Sequence, residues 1–114
     1  MKWNELHHAA DLDEMIRISH ERSVVIFKHS TRCSISHMAK ARLDREEQPP
    51  HIDFYLLDLL QHRDISNLIS EKFQVYHESP QILLLQKGEC IYDESHNGIR
   101  MDEILKMTQA ESFG

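Results

Sequence analysis

Ser23-Val24-Val25-Ile26-Phe27-Lys28-His29-Ser30-Thr31-Arg32-Cys33-Ser34-Ile35-Ser36 is the stretch that decides the fold. Residues 23–27 are a β-branched, apolar run short enough to be a strand buried on both faces. The polar residues 28–32 predict a loop. Residues 34–45 predict a helix, with Ile35, Met38, Ala39 and Leu43 as its apolar stripe. Cys33 therefore falls where a buried strand hands over to a helix.

Outward from this segment the pattern repeats. Upstream, Leu12, Met15 and Ile16 at helical spacing predict a helix over 12–20, with Asp11 as its N-cap. Downstream, Pro49-Pro50 ends the second helix. Residues 52–60 predict the next strand. A helix over 62–73 carries Ile65, Leu68, Ile69 and Phe73 on one face, and Asp64 or Ser66 suits its first turn. After Ser79-Pro80 come a strand at 81–86, a tight turn at Lys87-Gly88-Glu89 and a strand at 90–92. Gly98 precedes a last helix carrying Ile99, Ile104, Leu105 and Met107. The order is α-βαβαββα. A strand–helix–strand unit implies a parallel pair, and the tight turn an antiparallel one. The expectation is an α/β, thioredoxin-like domain over 1–114: a central four-stranded mixed sheet flanked by helices.

Composition bounds what such a domain does. With 114 residues, 40% of them hydrophobic and 28% charged, the chain suits one globular domain that needs no staple. Its 13 Lys plus Arg against 19 Asp plus Glu give a net charge of −6, and the basic residues are scattered. That balance argues against nucleic acid as a partner. No apolar run approaches a membrane span, and the first residues lack the pattern of a secretory signal, so the expected compartment is the cytosol. Two cysteines, Cys33 and Cys90, are too few for a disulfide scaffold.

At a helix start, Cys33 faces unpaired N–H groups and the positive end of the helix dipole, an arrangement that favours the thiolate. The thiolate is the species that attacks a disulfide. The bland alternative is a small buried hydrophobe, against which the polar neighbours His29 to Ser34 argue. A two-cysteine redox motif would place its second thiol at position 36, where this chain has Ser36. A mixed disulfide on Cys33 then has no local resolving thiol and must be released by a second thiol, which predicts a monothiol mechanism. Ser36 would either donate a hydrogen bond to the thiolate or simply start the helix. Cys90 sits at the far end of the expected sheet, five or six strand residues or roughly 17–20 Å away. That is beyond disulfide reach, so its role is read as packing.

The run from Phe27 to Ser36 resembles the signature of the monothiol bacilliredoxins, a thioredoxin-like family of the bacillithiol system. The likeness extends over nearly the whole chain through the leading helix, Ser79-Pro80 before the third strand, and the Lys87-Gly88 hairpin. It implies that Pro80 is a cis proline facing the cysteine. It implies a reaction in which Cys33 takes bacillithiol from a bacillithiolated client protein and free bacillithiol regenerates Cys33. Bacillithiol is then a co-substrate and no cofactor is bound. Cys33, Ser36 and Pro80 form the catalytic set, with Lys28, His29, Arg32, Ser34 and Ser79 around the bound thiol. For Lys28, His29 and Arg32 a solvated loop is the competing reading. Ser34 departs from the family pattern, replacing the usual proline and restoring a backbone N–H.

Three other readings stay open. His29, Cys33 and His37 are spaced by four and are potential zinc ligands, although no fourth ligand is evident. An iron–sulfur carrier would need the Cys-Gly-Phe-Ser motif of monothiol glutaredoxins, which is absent. A thioredoxin-like interaction module with an incidental Cys33 is the third. Trp3 and Phe113 are read as packing anchors, and His7-His8 as surface residues.

Overall fold

A computed structural model describes residues 1–110; Phe113 lies outside them. The elements are β1 (Trp3–Glu5), α1 (Ala9–Ile18), β2 (Ser23–His29), α2 (Ser34–Asp44), β3 (Ile52–Asp58), α3 (Arg63–Phe73), β4 (Gln81–Gln86), β5 (Glu89–Ser95) and α4 (Met101–Ala110), with a short 3-10 turn at His96–Gly98 before α4. The sheet has five strands in the order β1-β3-β2-β4-β5. β1 and β2 run parallel to β3, and β4 is antiparallel to both β2 and β5.

β2 is buried along its whole length because it lies at the centre of the sheet. Its alternate side chains feed two cores. Val25 and Phe27 join Ala39 and Leu43 of α2, Phe54 of β3, Leu84 of β4 and Ile104 of α4. Val24 and Ile26 join Leu12 and Met15 of α1, Ile65 and Ile69 of α3, and Leu83 and Leu85 of β4. The sheet is thus sandwiched between α2 with α4 and α1 with α3, the α/β architecture expected.

The fifth strand corrects the expected four. Trp3-Asn4-Glu5 carries no periodic signal, but it docks on β3 with Trp3 opposite Phe54. The Trp3 ring stands edge-on to Phe27 and Phe54, both at 5.7 Å, and its Nε1 donates to Asp44 at 2.7 Å. The anchoring of Trp3 is therefore by packing, as its apolar bulk suggested.

Boundaries move for local reasons. His8, not Asp11, is the N-cap of α1; Asp11 lies one turn in, where its carboxylate accepts the N–H groups of His7 and His8, each at 2.9 Å. Asp64 lies in the first turn of α3, as expected, with His62 at the N-cap. β2 runs on through Lys28 and His29 where a loop was expected, because the ladder with Leu57 and Asp58 continues. α2 also turns differently from the expected stripe: Ser36, Ala39 and Leu43 face inward, whereas Ile35 and Met38 are 46% and 61% exposed.

At the other end of the sheet, Lys87 and Gly88 both have positive φ, 53° and 78°, as a two-residue hairpin requires. Their N–H groups donate to the carbonyl and hydroxyl of Ser19, tying the hairpin to the end of α1. Among the described residues no helix is long and apolar enough to cross a membrane.

Candidate active site

The carboxyl end of β2 delivers the chain to a turn in which the Cys33 N–H donates to the Ser30 carbonyl at 3.2 Å. Cys33 is then the N-cap of α2, extended at φ −111° and ψ 120°, and its carbonyl accepts the first helical bond from His37 at 3.1 Å. Its thiol is free and partly exposed. The first turn of α2 contains no acid to offset the positive end of the helix. Ser34 occupies the first helical position, where a proline is readily accommodated and a free N–H has no intrahelical partner.

Ser36, one turn on, is completely buried. Its Oγ accepts the N–H of Ser30 at 3.0 Å and lies 2.6 Å from His29 Nδ1. Position 36 therefore holds the 29–33 turn against α2 instead of supplying a resolving thiol. His29 is buried at the end of β2, its ring 5.7 Å from that of Phe27 and 4.9 Å, edge-on, from that of His37. Burial pushes the His29 pKa down, and nearby His37 and Lys40 push the same way against Asp58. The His37 Nε2 donates to the Thr31 carbonyl at 2.8 Å, so the side chain braces the same turn.

The other strand end at the site is the start of β4, where Gln81 pairs with Lys28. The Ser79–Pro80 bond before it is cis, the isomer implied by the resemblance. Pro80 is buried, and its carbonyl accepts the His96 N–H at 3.1 Å. The Ser79 hydroxyl is buried and is the one such side-chain polar atom without a partner among the described residues.

The geometry separates the expected thiol-binding residues. Arg32 and Ser34 are exposed on either side of Cys33. Lys28 does not belong with them. Alternation along β2 places it on the α3 face, opposite His29, and it is fully buried. Its ammonium donates to the Ser66 carbonyl at 3.1 Å and to Ser70 Oγ at 2.8 Å, and approaches His77 Nδ1 at 3.4 Å. Desolvation lowers its pKa to about 8. His29 likewise does not project as a solvated loop residue, since it is bonded inward to Ser36. Both corrections have one cause, the extra two residues of β2. Counting alternation forward from Val25 through Phe27 would have put His29 over α2 and Lys28 over α3.

Cys90 pairs with Leu85 at the hairpin end, while Cys33 lies past the opposite end of β2. It is free, and desolvation pushes its thiol pKa up to about 11. The His29–Cys33–His37 spacing does not assemble a metal centre either. Each histidine is hydrogen-bonded within the turn, and no group of three or more His, Cys, Asp or Glu side chains among the described residues is arranged to hold an ion.

A cysteine that N-caps α2 and a cis proline immediately before β4, on this sheet order, define a thioredoxin-fold thiol protein. The profile described as Monothiol bacilliredoxin BrxC matches residues 4–104, and the chain belongs to that family. Solved structures agree on the fold. A candidate oxidoreductase with a thioredoxin fold is 28% identical, with a TM-score of 0.79 and 91% of each chain covered. Thioredoxin from Fasciola hepatica is 18% identical, with a TM-score of 0.77, covering 92% of this chain and 99% of its own. Thioredoxin from Malassezia sympodialis is 14% identical, with a TM-score of 0.74, covering 95% and 90%. The family and the fold make this a thiol–disulfide oxidoreductase.

Proposed function

We propose that the protein removes bacillithiol from bacillithiolated client proteins by monothiol exchange at Cys33. The observation that carries this reading is the pairing of a partly exposed thiol at the start of α2 with a buried, doubly hydrogen-bonded Ser36 where a resolving cysteine would stand. The Cys33 thiolate attacks the bacillithiol sulfur of the client mixed disulfide. A Cys33–bacillithiol disulfide forms, the client S–S bond breaks, and the client sulfur leaves as a thiolate that takes a proton from water. With no thiol at position 36, a free bacillithiol thiolate attacks the bacillithiol sulfur held on Cys33. Bacillithiol disulfide leaves, and the Cys33 thiolate is restored. Bacillithiol is a co-substrate and no cofactor is bound.

Arg32 and Ser34 flank the thiol and contact the adduct, with the cis Ser79–Pro80 segment that leads into β4 bordering it. Exposed Ile35 and Met38 give the client protein an apolar footing next to Cys33. The setting is a reducing bacterial cytosol.

The test is removal of bacillithiol from a bacillithiolated model protein by the native chain, Cys33→Ala and Cys90→Ala. The expected result is activity in the native and Cys90→Ala proteins, none in Cys33→Ala, and bacillithiol on Cys33 by mass spectrometry. A folded native protein that transfers no bacillithiol would refute the reading.

A further inference from the structure

Residues 75–78 belong to no helix or strand, and Tyr76, His77 and Glu78 are exposed, yet they lead directly into the cis Ser79–Pro80 bond. Two fully buried polar side chains hold them from the sheet. Lys28 and Gln81 are partners across the β2–β4 ladder and so share its α3 face. The Gln81 carboxamide spans the segment: Nε2 donates to the Tyr76 carbonyl at 2.8 Å, and Oε1 accepts the Glu78 N–H at 3.4 Å. Between them the Lys28 ammonium, already donating to Ser66 and Ser70 of α3, reaches His77 Nδ1 at 3.4 Å. Ser66 Oγ lies 3.3 Å from the same ring nitrogen. Burial, Lys28 and Arg63 push the His77 pKa down against Glu78, which leaves Nδ1 free to accept. The acceptors around the buried ammonium are therefore neutral. Enclosing a cation without a carboxylate costs stability, so stability does not account for Lys28. Such a departure is expected where a residue serves function.

β4 runs antiparallel to β2 with Gln81 opposite Lys28, so Pro80 and the residues before it lie at the end of the sheet where β2 leaves for Cys33. We propose that Lys28 and Gln81 are positioning residues for client proteins: they fix residues 76–78, and the cis bond that follows, as a surface against which a client polypeptide lies when its mixed disulfide meets Cys33. Neither residue touches the reacting sulfurs, and the exchange keeps the balance already given. A small disulfide reaches the partly exposed Cys33 without this segment. A client protein brings its backbone with it, and a loose segment that must be ordered on binding lowers affinity. The pair therefore favours protein substrates over small ones. The inference rests on Cys33 exchanging with a client mixed disulfide.

The experiment follows single turnovers of the reduced native protein, Lys28→Met and Gln81→Met. Each meets rising concentrations of a bacillithiolated model protein and, separately, hydroxyethyl disulfide as a small uncharged substrate. In either variant the half-saturating client concentration is expected to rise about five- to tenfold. The limiting rate with client, and the rate with the small disulfide, should stay within about twofold of native. Amide exchange at His77 and Glu78 should quicken in the same variants. Urea midpoints accompany the assay. Lys28→Met sheds a buried charge and should hold its stability, so weaker client binding in a protein no less stable excludes a general loosening of the fold. An unchanged half-saturating concentration in Lys28→Met overturns the proposal. So does equal slowing with client and small disulfide, since the substitutions would then act on the thiol itself. If Gln81→Met does not fold, Lys28→Met decides alone. A native protein that transfers no bacillithiol sinks the reading beneath; native transfer with variants indistinguishable from it sinks this inference alone.

Discussion

Reduced protein exposed at pH 7 to a small symmetrical disulfide should be modified at Cys33 and spared at Cys90. The contrast follows from the Cys90 thiol, pushed up to about 11 chiefly by desolvation, against which its backbone contacts with Tyr92 and Leu84 act weakly. At pH 7 about one Cys90 in ten thousand is a thiolate, whereas an ordinary cysteine near 8.5 is about 3% ionised. That is a deficit of about 300-fold. A more basic thiolate is intrinsically more nucleophilic, with a Brønsted slope of about 0.4–0.5, which returns about tenfold. The net handicap is about 20–30-fold relative to an unstructured cysteine peptide, before burial of the sulfur restricts access.

The assay is competition. Protein and a reference cysteine peptide share a limiting amount of the disulfide, the exchange is quenched in acid, and mixed disulfides are located by peptide mass spectrometry. Cys90 should trail the reference peptide by at least about 20-fold, and the first equivalent taken up by the protein should appear on Cys33. Cys90 reacting as fast as the free peptide would refute the desolvation account of the hairpin end. It would also reopen a redox role for the second cysteine.

Two further outcomes concern stability. Lys28 is charged and buried below about 8, while an unfolded lysine holds its proton to about 10.5. Between those limits the unfolded chain binds more protons, so the contribution of Lys28 to stability rises with pH from about 8 to 10.5, and its burial is most costly below 8. Lys28→Met should remove that rise in urea unfolding at pH 7 and 9.5. Any gain at pH 7 is bounded at about 3 kcal/mol and reduced by the bonds lost to Ser66 and Ser70; an unchanged pH slope would contradict the assignment. Trp3→Ala should cost about 2–4 kcal/mol by stripping the edge-on contacts with Phe27 and Phe54 and the bond to Asp44. The readout is the urea midpoint, and a loss under about 0.5 kcal/mol would mean that β1 is dispensable to the fold.

The strand and helix order was legible because apolar runs and punctuating residues coincide with it. Residues 81–86 were read as a strand with no boundary error, since Pro80 starts it and Lys87-Gly88 ends it. What escaped the sequence was decided by partners distant along the chain. β1 exists because Trp3 finds two aromatic rings on the sheet. Lys28 and His29 look like loop residues, but β3 continues the ladder through both and β4 through Lys28, and Ser66, Ser70 and Ser36 meet their polar ends. The inner face of α2 was misread for a related reason. Ile35 and Met38 sit at helical spacing with Ala39, yet the buried positions are Ser36, Ala39 and Leu43. Where a helix starts close against a sheet, small side chains fit and the bulky ones turn outward.

That rotation of α2 ties the fold to the chemistry. Turning Ser36 inward puts its hydroxyl on Ser30 and His29, so the turn holding Cys33 is fastened from beneath by a group that is not a thiol. The same rotation carries Ile35 and Met38 to the surface beside Cys33, where a client protein can cover them. A second cysteine at position 36 would have to forgo those two bonds to reach Cys33. It would leave the Ser30 N–H without its acceptor, at a cost of about 1–3 kcal/mol if no water replaces it. The monothiol character is therefore built into the support of the turn as well as into the absence of a second sulfur. In the mechanism proposed above, resolution comes from a thiol that arrives from outside, and the partly exposed Cys33 suits that approach.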